Sequence, residues 1–234
     1  VKALWIGAAL LLVLHTPGYA DPSRDLYYGL SDSNIEQVRA ALAAGANPNE
    51  PVTGKPPLQR ACMAFYSRGR GEFAKALLQA GANPNGLDIV GHTALHISGG
   101  RMDCVPLLLA AGADPNARTN EDACPVHGRP VLEKILGELN SQTGLEGLKT
   151  LLNAGARPDI AGCDGGSMHW QAARNFMNKA NEYLQGYSTP TAGWWKPYVQ
   201  AWQILDTALL ADADAQDLMV QALAVATTVE KEVR

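Results

Sequence analysis

Two short clusters hold the residue types best suited to chemistry. They are Cys124-Pro125-Val126-His127 and Cys163-Asp164-Gly165-Gly166-Ser167-Met168-His169. Two thiolates and two imidazoles make up the tetrahedral N/S set that zinc favours, so Cys124, His127, Cys163 and His169 support a zinc reading. The same clusters allow a plainer outcome, in which cysteines are oxidised to disulfides and the histidines are incidental. The sequence has four cysteines, Cys62 and Cys104 being the others. Pattern alone does not choose among their pairings. No nucleophile elbow, phosphate loop, His-Glu-x-x-His pair or dinucleotide fingerprint occurs. Glu133, Glu138 and Glu146 are spread at helix-surface spacing, and Gly99-Gly100 and Gly165-Gly166 read as turns. The expectation is a chain without catalysis and without a cofactor.

Residues 1–20 differ in composition from the rest. Lys2 is their only charged side chain, an apolar run extends from Ala3 to Leu14, and Gly18-Tyr19-Ala20 precedes the polar Asp21-Pro22-Ser23. A positive start, a short apolar stretch and small residues at the boundary predict a secretory signal cleaved after Ala20. The run is short for a membrane span. No cysteine follows it, which excludes lipid attachment there. Val1 fits a bacterial start codon read literally. The mature chain is therefore expected to be a soluble protein of the bacterial periplasm, not inserted in the membrane. Hydrophobic residues are 47 % and charged residues 18 % of the sequence, enough for an ordinary core. The net charge is −4 with no Lys/Arg block, which argues against a nucleic-acid groove.

The elements that must carry these residues follow from a recurring phrase. Ala41-Leu42-Ala43-Ala44-Gly45-Ala46-Asn47-Pro48-Asn49 returns as Leu77 to Asn85, Leu108 to Asn116 and Leu151 to Asp159. A Leu-Leu pair closes an amphipathic helix, the Gly supplies a left-handed C-cap, and the Pro stops the helix from resuming. Between the phrases, Gly91-His92-Thr93-Ala94-Leu95-His96 reads as a turn opening a short helix. Residues Thr53 to Ala61 are a looser copy. Ser33-Asn34-Ile35-Glu36 has the spacing of a capping box.

Helix, connection, helix, Gly cap and extended loop together resemble the ankyrin-repeat family, with the closest match at residues 91–117 and a good one from about 34 to 160. The resemblance implies an all-α solenoid of about five helix-turn-helix units over residues 21–212. The uneven glycine spacing implies insertions in the second and fourth units and a shorter third. The unit from about 161 is degenerate, with an insertion at 176–197, and Leu209-Leu210-Ala211-Asp212 reads as its ending. Residues 213–234 read as a capping helix. In such a stack His96 orders its turn and bonds to the neighbouring unit. The two Cys/His clusters open successive units, so stacking implies a Cys124–Cys163 disulfide, with the zinc set as the alternative. Cys62 and Cys104 fall in adjacent units as a second disulfide or as buried apolar residues.

The resemblance also implies function. A stack of this kind offers a concave face and a row of loop tips that bind another protein. Lys55, Asp88, Ile89, Arg118, Glu121 and Asp122 are the expected contacts on the tips. Ile89-Val90 is apolar where a tip is normally polar. Trp194 and Trp195 sit on the Gly/Pro-rich insertion, either as partner anchors or as rings folded back on the last helices. The sharpest expectation is an immunity-type protein that neutralises a toxic effector reaching the periplasm. A housekeeping scaffold or inhibitor of an endogenous enzyme is the first alternative. A metal-binding or redox protein using the Cys/His cluster is the second.

Overall fold

The computed structural model describes residues 21–63, 70–99, 102–120, 124, 128–139, 142–185, 187, 190, 193–206 and 213–232. The expected signal at 1–20, Glu121, Asp122, His127 and the expected repeat ending at 209–212 lie outside these residues. Among the described residues every regular element is a helix. They are α1 (Pro22–Ser31), α2 (Ile35–Ala43), α3 (Pro57–Cys62), α4 (Arg70–Gln79), α5 (Ala94–Ser98), α6 (Val105–Ala110), α7 (Val131–Leu136), α8 (Gln142–Asn153), α9 (Met168–Leu184), α10 (Lys196–Asp206) and α11 (Ala213–Glu232).

The recurring phrase folds the same way each time. Gly45, Gly81, Gly112 and Gly155 have φ of 94°, 89°, 87° and 90°, a region that L side chains rarely adopt. That reversal lets the next amide reach back over the helix end. Ala46 N donates to Ala41 O, Ala82 N to Leu77 O, Ala113 N to Leu108 O and Ala156 N to Leu151 O, each at 2.9–3.0 Å. The first leucine of each Leu-Leu pair, Leu77, Leu108 and Leu151, is fully buried, and Ala41 takes that place in the first phrase. Burying each leucine side chain stabilises the fold by about 1.5–3 kcal/mol.

The asparagine that ends each phrase joins one phrase to the next. Asn49 Nδ2 donates to Gly81 O at 3.0 Å, and its Oδ1 accepts from Asn83 N at 2.6 Å. Asn85 repeats this with Gly112 O (2.9 Å) and Asp114 N (2.8 Å). Asn116 repeats it with Gly155 O (3.0 Å) and Arg157 N (2.8 Å). A carboxamide suits this place because it presents one donor and one acceptor side by side. In the last phrase Asp159 has no amide to donate and instead receives Arg157.

These joints stack the helices in two layers. Helices pair as α1 with α2, α3 with α4, α5 with α6 and α7 with α8. α1, α3, α5, α7 and α9 follow one another in one layer, and α2, α4, α6, α8 and α10 in the other. α11 packs along α9, burying Met219, Ala222, Ala226 and Val229 at helical spacing. Two local expectations change. The cap of α2 is Asn34, whose Oδ1 accepts from Gln37 N at 3.1 Å, while Ser33 turns into a left-handed φ of 56°. Residues 176–184, expected to begin an insertion, continue α9, with Phe176 and Ala180 buried on its inner side.

Candidate partner-binding face

The loop tips form a linked row. Val52 and Lys55 exchange backbone hydrogen bonds across a tight turn at Thr53-Gly54, where both central residues have positive φ. The next tip turns at residues 88–91, with Gly91 N donating to Asp88 O at 3.0 Å and Asp88 N to His92 O at 3.1 Å. Ile89 reaches back to the first tip, since a Cβ on Gly54 would lie 3.1 Å from its Cγ2. On the other side Asn120 N donates to Val90 O at 3.2 Å. That approach requires Gly91, because a Cβ there would fall 2.4 Å from Asn120 N.

Asp88 is the post that holds the second tip. Its side chain is 0 % exposed, with Oδ2 at 2.9 Å from Lys55 Nζ and 3.3 Å from His92 Nδ1. Its Oδ1 accepts from Val90 N and His92 N. Burial pushes the carboxyl pKa up, but the Lys55 ammonium and the two amides outweigh it and hold the carboxyl below its ordinary value. Asp88 was expected to touch a partner. Its carboxylate is instead spent inside the tip, and it sets the posture of its neighbours. Those neighbours are exposed: Ile89 at 87 %, Leu87 at 48 % and Val90 at 40 %. Lys55 keeps part of its ammonium arm in solvent.

Arg118 is likewise committed within the protein. Nη1 donates to Gly128 O at 2.8 Å and Nη2 to Ala161 O at 2.7 Å, joining two successive loops. Cys124 and Cys163 fasten the same loops, with Cα atoms 4.8 Å apart and their sulfurs bonded. Cys62 and Cys104 form the other bonded pair, at a Cα separation of 5.9 Å. Bonded sulfurs are not thiolates, so Cys124 and Cys163 do not present a zinc set in this arrangement. His169 is buried in α9 and packs edge-on against Trp202, with ring centroids 5.2 Å apart. Among the described residues no group of three or more His, Cys, Asp or Glu could hold a metal ion.

His96 is fully buried. Its Nδ1 accepts from Thr93 N at 3.1 Å, and its Nε2 lies 3.1 Å from Arg129 O, one helix pair further on. The carbonyl can only accept, so the neutral ring carries its proton on Nε2. A second proton would face the Thr93 amide. Burial lowers the pKa from 6.5 to about 4. An unfolded chain takes up this proton near pH 6.5, whereas the folded chain resists it until about pH 4. Stability is therefore lost as pH falls through that window, by up to roughly 3 kcal/mol. Urea titrations between pH 7 and 4 should show this fall, and it should be shallower in His96→Gln. Equal slopes in both proteins would remove His96 as the cause.

The α7 and α9 faces enclose a polar groove of about 220 Å³. Arg129, Lys134 and Arg174 line it together with Glu133, Glu138 and Gln171. Glu133 is nearly buried and accepts from Cys163 N at 2.6 Å. Arg174 and Gln171 both bond Asp164. The groove was not foreseen from the sequence, because its residues come from α7 with its flanking residues and from α9, about forty positions apart. Trp194, expected on the surface or folded back, is 8 % exposed within an aromatic group of Phe176, Tyr183 and Tyr198. Trp195 is half-buried against the same core.

A family model described as ankyrin repeats (3 copies) matches residues 26–119. This part of the chain, residues 26–119, is similar to ankyrin repeats. No curated protein matches the chain. The matched residues run from within α1 through α6 and include the first two asparagine joints. The third joint, from Asn116 to Gly155 and Arg157, continues the same backbone geometry beyond the match. Ankyrin repeats indicate a protein–protein interaction module. No helix among the described residues is long and apolar enough to cross a membrane.

Proposed function

We propose that the chain is an exported, non-catalytic protein that binds another protein through its loop tips and the adjoining concave face. In this reading there are about five units, the last of them the degenerate pair α9 and α10, with α11 closing the stack. The signal is cleaved after Ala20 and the mature protein works in the periplasm. Two bonded cysteine pairs are compatible with an oxidising compartment. The specific role is immunity, the blocking of a toxic protein that enters the same space.

The observation that carries the binding surface is the apolar tip formed by Leu87, Ile89 and Val90. It is held out by a buried carboxylate and stays exposed on a hydrogen-bonded turn. An apolar group fixed in this way loses little freedom on binding, which is what an interface anchor needs. Lys55 flanks it as a charged rim. Asp88, Arg118 and Trp194 act from within by shaping the surface. Glu121, Asp122 and Trp195 complete the proposed contact set.

The test is affinity capture from a periplasmic extract with the wild-type chain and with Ile89→Asp, followed by a titration against the captured protein. Ile89→Asp should weaken binding by about 2 kcal/mol or more, the loss typical of an anchor, with an unchanged melting temperature. Undiminished binding by Ile89→Asp would move the interface elsewhere. Capture of an endogenous enzyme in place of a toxin would replace immunity with the housekeeping role.

A further inference from the structure

The sequence contains one Asn-Gly step, Asn85-Gly86. Such a step is chemically exceptional. The glycine nitrogen carries no neighbouring Cβ to hinder it from attacking the asparagine Cγ. Of the three asparagines that join successive repeats, only Asn85 is followed by glycine; Asn49 precedes Glu50 and Asn116 precedes Ala117. Asn47 and Asn83 precede prolines, whose nitrogens have no proton to lose. The reactive step therefore falls on a structural joint.

In the folded chain both reacting groups are engaged. The Asn85 carboxamide is tied at both ends, through Nδ2 to Gly112 O at 2.9 Å and through Oδ1 to Asp114 N at 2.8 Å. The Gly86 N–H donates to Asn83 O at 3.1 Å. Attack needs the carboxamide to leave both partners and the glycine amide to leave its own. Asn85 is exposed, so water is at hand once the joint opens.

We propose that Asn85-Gly86 is a one-way modification site gated by the joint between the α3/α4 and α5/α6 repeats. While the joint is closed Asn85 is preserved. When it opens, the Gly86 nitrogen bonds to Asn85 Cγ and the side-chain nitrogen leaves as ammonia, carrying away the amide proton. Water then opens the resulting five-membered imide to aspartate or isoaspartate. Water is the only co-reactant, and no atom changes oxidation state. The product cannot rebuild the joint. A carboxylate at this place still accepts from Asp114 N but has nothing to donate to Gly112 O, and an isoaspartate also lengthens the main chain by one methylene. A repeat junction that has opened for long enough is thereby marked and kept weak.

Gly86 has no positive φ. A Cβ on it would meet Asn83 O at 3.3 Å and Pro56 Cγ at 3.7 Å, a fit that needs only a small adjustment. Gly86→Ala should therefore fold while hindering the imide. The experiment incubates the wild-type chain and Gly86→Ala at mildly alkaline pH, folded and in urea. It follows the amide-to-acid mass change and isoaspartate at position 85 by peptide mass spectrometry. The folded wild type should convert about a hundred-fold more slowly than the same chain in urea, the factor expected when three hydrogen bonds must open first. Gly86→Ala should stay intact in both. Wild type converted in urea and then refolded should melt below unconverted chain carried through the same steps, and Asn85→Asp should melt low as well. Equal rates in the folded and unfolded chain would abolish the gate. Wild-type melting in both the converted chain and Asn85→Asp would abolish its consequence.

Discussion

Trp194→Ala is expected to lower the melting temperature by on the order of 10 °C and to leave partner affinity nearly unchanged, the loss of a buried aromatic costing about 3–5 kcal/mol. The ring centroid of Trp194 lies 4.6 Å from that of Tyr183, 5.7 Å from Phe176 and 6.3 Å from Tyr198. Tyr198 in turn stacks on Phe176 at 5.4 Å. These rings come from α9, from the start of α10 and from the turn at Gly193, where Lys196 N donates to Gly193 O. The group thus fastens the loop after α9 onto the helices at the end of the stack. Alanine would leave a void that side chains from three segments could not all close. The alternative, Trp194 as a partner anchor, predicts lost affinity at an unchanged melting temperature. Measuring both quantities on Trp194→Ala and on the Trp194→Ala/Trp195→Ala double variant separates the two. A double variant that is stable and binds normally would mean that neither ring matters.

Breaking either disulfide is expected to cost about 2–4 kcal/mol. The two bonds span 42 and 39 residues, so each removes much freedom from the unfolded chain. They also act at different places. Cys62 ends α3 and Cys104 precedes α6, both fully buried, so this pair ties two helix pairs together within the core. Cys124–Cys163 ties loops and keeps Cys163 N on Glu133 beside the polar groove. Cys62→Ala/Cys104→Ala and Cys124→Ala/Cys163→Ala should each unfold at lower urea than the parent. Alanine avoids burying a new hydroxyl. A thiol count on the native protein checks the premise. Free thiols at 124 and 163 together with one equivalent of zinc would restore the metal reading.

The repeat was legible in the sequence because its signals are local. Gly45, Gly81, Gly112 and Gly155 end helices through their own backbone freedom, and the prolines that follow block continuation whatever lies nearby. His96 was placed by the resemblance, and its bond to Thr93 spans only three residues. The aromatic tail showed in composition, as a cluster of tryptophans near Gly193. Its direction did not. Whether Trp194 meets solvent or Phe176 depends on where α9 and α10 lie, and α9 runs on through residues that looked like a loop.

The tips show the same division. That residues 88–91 form a turn follows from Asp88 and Gly91, but the burial of the Asp88 carboxylate depends on Lys55, thirty-three residues earlier. Arg118 is an expected contact on a tip from the sequence, and its guanidinium instead reaches Ala161, forty-three residues on. The asparagine joints lay in plain view as a recurring Pro-Asn, yet their role needs the next repeat's glycine carbonyl, which only stacking supplies. Charged and amide side chains reach several ångströms from the backbone and take whatever partner the fold brings. Their roles are therefore decided by tertiary distance, whereas those of glycine and proline are written in the dihedral angles of the chain itself.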